Sequence, residues 1–184
     1  MIITIDGPHG IGVTSQALTL AQNIKLSGKT VTVLKAKTAD QCLDAMEQVK
    51  SVKTDVIIFD GFALNDLCLS IMDGSIRSIP FKTHPNFINV YSEFNIKNKP
   101  FNIIMLPDIT TEFILYHDER RFNPIHYKTL ETHTEALRII DRMLPANTAK
   151  FEYFYIKPKD KLLEIQKNML KNTGLKEAIE SLWK

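Results

Sequence analysis

The chain has 184 residues, 44% of them hydrophobic and 24% charged, with a net charge of +2. That length and balance imply one globular domain over 1–184 with a proper core, and exclude a low-complexity or collagen-like chain. So small a charge on dispersed basic residues gives no ground for nucleic-acid binding, and strand-sized apolar runs give none for a membrane span.

The opening Ile2-Ile3-Thr4-Ile5-Asp6 is a β-branched run that reads as a strand. It starts too early to leave room for a signal peptide, so a cytoplasmic location is expected. It feeds Gly7-Pro8-His9-Gly10-Ile11-Gly12-Val13-Thr14-Ser15, a glycine-rich turn in front of a helical pattern. Behind the turn Ala17, Leu20, Ala21 and Ile24 recur at i, i+3, i+4 and i+7, and Gly28 supplies the stop. Further strands are read at 30–35, 55–60, 101–106 and 151–157. Within the third strand Val56-Ile57-Ile58-Phe59 is continuously apolar, as a parallel strand covered on both faces requires. Cys42 and Cys68 sit in unrelated segments without metal-ligand spacing and read as free thiols.

The stretch 73–85, with two prolines and a glycine, reads as a loop over one end of the sheet. Asn123-Pro124 opens a helix whose apolar stripe is Leu130, Leu137 and Ile140. Asp160 caps a helix using Leu162, Leu163, Gln166 and Met169, and Gly174 separates it from a last helix ending near Trp183. Strands alternating with helices predict an α/β fold: a doubly wound, five-stranded parallel sheet flanked by helices. Ligands of such sheets bind at the carboxyl ends of the strands, where Gly7 and Asp60 both fall.

The strand–glycine-turn–helix order is that of a phosphate-binding P-loop, G-x-x-x-x-G-K-[ST], except that Val13 stands where the motif has Lys. Main-chain N–H groups of such a turn converge on one anion, and the helix adds roughly half a positive charge there. Gly7, His9, Gly10, Gly12, Val13, Thr14 and Ser15 are therefore the candidate phosphate- and nucleotide-binding residues. Thr14 stands where a hydroxyl ligates Mg²⁺. The loss of the Lys weakens turnover more than binding, because one preorganised donor is worth roughly 10²–10³ in rate. His9, largely neutral at pH 7, is a poor substitute for that cation.

Asp60, at the tip of the buried run, either holds hydrated Mg²⁺ or organises an acceptor phosphate. Arg120 and Arg121 lie in a charged turn between two helical patterns and are the candidate phosphate clamp and replacement cation. Lys35 and Lys37, at the end of the second strand, are placed to meet an acceptor phosphate.

Taken in order, these stations resemble the thymidylate kinase family of P-loop nucleoside monophosphate kinases. The opening from Ile3 to Gln16 matches the family's first strand and loop. Ile58-Phe59-Asp60-Gly61-Phe62 sits where the family has Asp-Arg-Tyr/Phe, and 100–106 resembles the strand before the lid. Arg120-Arg121-Phe122, Tyr127 and the helical stretch 130–142 resemble the lid itself, at about 117–126. The resemblance implies a P-loop NTPase-like fold, ATP with Mg²⁺ as donor, a deoxynucleoside monophosphate such as dTMP as acceptor, and a homodimer. It implies catalytic roles for Arg120, Arg121 and Asp60, metal binding by Thr14 and Asp60, and an acceptor side formed by Lys35, Lys37 and Phe62. Three departures fall on polar chemistry: Val13 for Lys, His9 for a sugar-binding carboxylate, and Gly61 for a phosphate-binding Arg. The readings are a divergent nucleoside monophosphate kinase, a catalytically impaired nucleotide-binding regulator on the same fold, or a structural protein with a vestigial site.

Overall fold

A computed structural model describes residues 1–7, 11–62, 87–107, 151–156 and 161–181. His9, Gly10, Cys68, the 73–85 loop, the lid with Arg120 and Arg121, the helix after Asn123-Pro124, Asp160 and Trp183 lie outside them.

The five expected strands all form. They are β1 (Ile2–Asp6), β2 (Val31–Lys35), β3 (Val56–Asp60), β4 (Phe101–Pro107) and β5 (Phe151–Ile156). They make one parallel sheet in the order β2-β3-β1-β4-β5. β1 therefore lies between β3 and β4, and the chain passes from one side of it to the other. In doubly wound sheets such a reversal is the usual place of a ligand crevice, and here it falls at the carboxyl end of β1, where Gly7 follows the strand.

Both faces of the sheet are covered, which explains the unbroken apolar run of β3. Val56 and Ile58 join one core with Ala17, Leu20 and Ile24 of α1 (Val13–Leu26). Ile57 and Phe59 join the opposite core with Cys42 and Met46 of α2 (Ala39–Gln48) and Phe87, Tyr91 and Phe94 of α3 (Phe87–Asn98). All five residues of β3 are buried. Each large apolar side chain so placed contributes about 1.5–3 kcal/mol. α1 ends in a Schellman arrangement: the Gly28 N–H donates to Lys25 O at 2.9 Å and the Lys29 N–H to Ile24 O at 3.3 Å.

Two helices escape the sequence reading. α2 buries Ala39, Cys42, Ala45 and Met46, small or flexible side chains that give a faint apolar signal. Its start is nonetheless capped, by Thr38 Oγ1 accepting the Gln41 N–H at 3.2 Å. α3 mixes aromatic residues with asparagines, and its orientation depends on a buried polar chain. Thr4 Oγ1 donates to Asn102 Oδ1 (2.8 Å), Asn102 Nδ2 to Asn95 Oδ1 (3.1 Å), and Asn95 Nδ2 to Tyr91 O (2.8 Å). This chain joins β1, β4 and α3 through groups that must pair once they leave water.

α4 (Leu162–Asn172) corrects one detail. Its N-cap is Lys161, whose N–H donates to Glu164 Oε2 at 3.3 Å, rather than Asp160. Leu162 and Leu163 are 44% and 71% exposed, so they do not form the expected stripe. A helix starting at Leu162 turns Gln166 and Met169 inward instead. Against α1 the contact is partly polar: Gln16 Nε2 donates to Leu162 O at 3.2 Å, and Asn23 Nδ2 to Gln166 Oε1 at 2.6 Å. α5 (Leu175–Glu180) follows the left-handed Gly174, as the glycine there implied.

Candidate phosphate-binding site

Gly7 closes β1 and is fixed by a close approach. A Cβ on it would lie 2.5 Å from the carbonyl oxygen of Met105 on β4. Only glycine lets the chain leave the sheet there without pushing β4 aside. Asp6, 3% exposed, secures the same corner: Oδ1 accepts the Gly7 N–H at 2.7 Å and Oδ2 accepts the Phe62 N–H at 2.8 Å. One carboxylate thus ties the exit of β1 to the exit of β3. The ladder continues alongside, with the Gly61 N–H on Ile5 O at 2.9 Å and the Ala36 N–H on Asp60 O at 3.1 Å.

α1 begins at Val13 after Gly12, whose φ of 97° is left-handed. Among the described residues no side chain caps this terminus, and its first turn carries no acid. The leading N–H groups of a helix lack intrahelical partners and carry the positive end of its dipole. Anions are among the partners that such groups take.

Thr14, Lys37 and Asp60 meet beside this terminus. Thr14 Oγ1 donates to Asp60 Oδ1 at 3.0 Å, and Lys37 Nζ donates to Thr14 Oγ1 at 2.6 Å. The ammonium also lies 3.7 Å from Asp60 Oδ2. Asp60 is nearly buried while the Lys37 side chain is 49% exposed, so the cation joins the carboxylate from the solvent side. Three strand or helix ends supply the three groups: β3 gives Asp60, the turn after β2 gives Lys37, and α1 gives Thr14.

The remaining candidates separate from this cluster. Val13 is half-buried against the apolar core on the α1 face of the sheet, so its side chain belongs to the packing. Ser15 is exposed on the first turn of α1. Lys35 pairs with Asp60 in the β2–β3 register and is exposed. Phe62 is fully buried, with ring centroids 4.5 Å from Tyr91 and 5.4 Å from Phe59, and it meets the site only through its main chain. Among the described residues no three His, Cys, Asp or Glu side chains gather as a metal site.

Sequence reasoning missed Asp6 as a site-building residue, although the signal was present. Like Asp60, it is an acid ending an apolar strand, and both carboxylates prove to be held at the same crevice. Gly61 was read as the loss of an Arg. With φ of 88°, it faces the turn after β2, where a Cβ would lie 3.0 Å from Lys37 Cα and 3.1 Å from Lys37 Cγ.

The sequence matches no family model and no curated protein. Solved structures do match across nearly the whole chain. YorR protein from Bacillus subtilis, in complex with phosphorylated GDP, is 15% identical with a TM-score of 0.59, over 97% of this chain and 98% of that one. Deoxyadenosine kinase from M. mycoides matches with bound dATP (12% identity, TM-score 0.53) and with bound dCTP (14%, 0.52). Each of these two covers 95% of this chain and 100% of the other. The five-stranded parallel sheet and its flanking helices therefore form an α/β fold shared with these proteins.

Proposed function

We propose that this protein binds a nucleotide with its phosphates at the start of α1, and transfers the γ-phosphoryl group of ATP to a deoxynucleoside monophosphate. The observation that carries the reading is the meeting of Thr14, Lys37 and Asp60 beside the start of α1, where no described side chain caps the helix. The similar folds whose solved structures hold dATP, dCTP and phosphorylated GDP support a nucleotide as the ligand. The resemblance to thymidylate kinases supports dTMP as acceptor and a homodimer as the assembly.

In the reaction an acceptor phosphate oxygen forms a bond to the γ-phosphorus while the bond to the β-phosphate oxygen breaks, releasing ADP. Such in-line transfer asks the protein for positioning and charge stabilisation rather than covalent chemistry. The α1 N–H groups hold donor phosphates, Lys37 meets their charge, Asp60 fixes Lys37 and Thr14, and Lys35 faces the acceptor side. Arg120 and Arg121 take the clamp role in this reading. Thr14 and Asp60 are oxygen donors of the kind Mg²⁺ takes. With the Lys37 ammonium already on both, the three side chains as placed do not fit a divalent ion.

Two observations favour a second reading, a nucleotide-binding regulator without turnover. Val13 is committed to the core, and Gly61 leaves no room for the Arg that would grip an acceptor phosphate. A coupled ADP-release assay over a panel of (deoxy)nucleoside monophosphates separates the two. Turnover with any acceptor supports the kinase, whereas nucleotide binding with background turnover throughout supports the regulator.

A further inference from the structure

We propose that Lys37 is a built-in counter-cation of the phosphate site, so that a nucleoside triphosphate binds without a divalent metal. This rests on the nucleotide reading above and names what neutralises the nucleotide there.

The position of Lys37 is specified from several sides. Its N–H donates to Gln41 Oε1 at 3.2 Å, while the preceding Ala36 is held to β3 through the Asp60 carbonyl. Its stem passes Gly61 at a separation that no side chain could share. Its ammonium ends on the Thr14 hydroxyl, 2.6 Å away, and near the Asp60 carboxylate. Thr14 in turn spends its proton on Asp60, so the hydroxyl is oriented by both neighbours.

Two oddities of the sequence then have one explanation. Val13 leaves the loop without its own cation, and Gly61 opens the space through which Lys37 brings one from the turn after β2. The ammonium is half exposed, so it can donate outward to phosphate while Asp60 anchors it. A divalent ion approaching Thr14 and Asp60 would meet a like charge already in place, and must displace it to bind.

The test is calorimetric titration of ATP into the full chain, once with magnesium and once with EDTA, for wild type, Lys37→Gln and Gly61→Ala. Lys50→Gln, beyond the far end of α2, controls for loss of a positive charge. Wild type and Lys50→Gln should bind with affinities that differ by no more than about threefold between the two buffers. Lys37→Gln should lose roughly tenfold or more in EDTA, the scale of one charge-assisted phosphate contact, and should regain affinity with magnesium. Gly61→Ala, which displaces Lys37 without removing its charge, should show the same magnesium dependence. Thermal melts establish that each variant is folded. Wild-type binding that appears only with magnesium, or Lys37→Gln matching wild type in EDTA, overturns the inference and leaves the nucleotide reading standing. Absence of ATP binding in both buffers overturns the two together.

Discussion

Asp6 Oδ2 accepts the main-chain N–H of Phe62 at 2.8 Å, joining two strand exits that are 56 residues apart in the chain. The other oxygen takes the Gly7 N–H, so a buried acid is matched to two main-chain donors. Asp6→Ala removes both bonds and strands those donors, which should cost about 2–4 kcal/mol of stability. Urea denaturation checks this, and a loss below about 0.5 kcal/mol would contradict it.

Gly7→Ala should destabilise through a different cause. Its Cβ would collide with a main-chain carbonyl of β4, 2.5 Å away, and neither strand can retreat from a paired sheet. A cost of about 1–3 kcal/mol is expected, visible as an earlier urea midpoint with an unchanged slope. A variant as stable as wild type would show that β4 yields at this point.

Restoring the P-loop lysine should not strengthen the site. Val13→Lys forfeits apolar packing on the α1 face and puts a charge at a half-buried position. ATP affinity should stay within about threefold of wild type, with a lower melting temperature. Gly61→Arg should weaken ATP binding, since its side chain would press on Lys37. Tighter binding in Val13→Lys, Gly61→Arg or the double variant would mean that the site lacks a cation after all.

Asp55 gives a pH prediction away from the site. Hydrogen bonds from the Thr30 N–H and hydroxyl, at 2.8 and 2.7 Å, hold its carboxyl below the usual aspartate range, with smaller help from Lys29. A carboxyl that binds its proton less readily when folded stabilises the fold above its unfolded pKa, about 3.9. That stabilisation disappears as pH falls through the lowered folded value. Asp55→Asn should therefore be less stable than wild type at pH 7, and the difference should shrink towards pH 3. Urea midpoints at the two pH values decide it, and an equal difference at both would contradict the linkage.

The sheet was legible in the sequence because each strand is a short β-branched or aromatic run between turn residues. α1 was legible because its apolar residues are large and periodic. α2 was not, since Ala39, Cys42 and Ala45 bury well but carry little hydrophobic contrast. In α3 one asparagine, Asn95, takes an inward position and pairs across to Asn102 of β4, a compensation that only tertiary structure reveals. At the site, Gly7, Thr14 and Asp60 could be read from strand ends and the glycine pattern. The engagement of Lys37 with Thr14 could not, because 23 residues separate them and the β2–β3–β1 order brings them together.

The most direct test of nucleotide binding at the start of α1 is a thermal-shift titration with ATP, comparing wild type with Asp60→Ala. A ligand that binds only the folded chain adds about 2.7 kcal/mol at a hundred times its Kd, so wild type should melt at a clearly higher temperature as ATP is raised. Asp60→Ala, which frees both Thr14 and Lys37, should lose most of that shift. No shift in wild type, or an equal shift in both proteins, would contradict a phosphate site built by Thr14, Lys37 and Asp60.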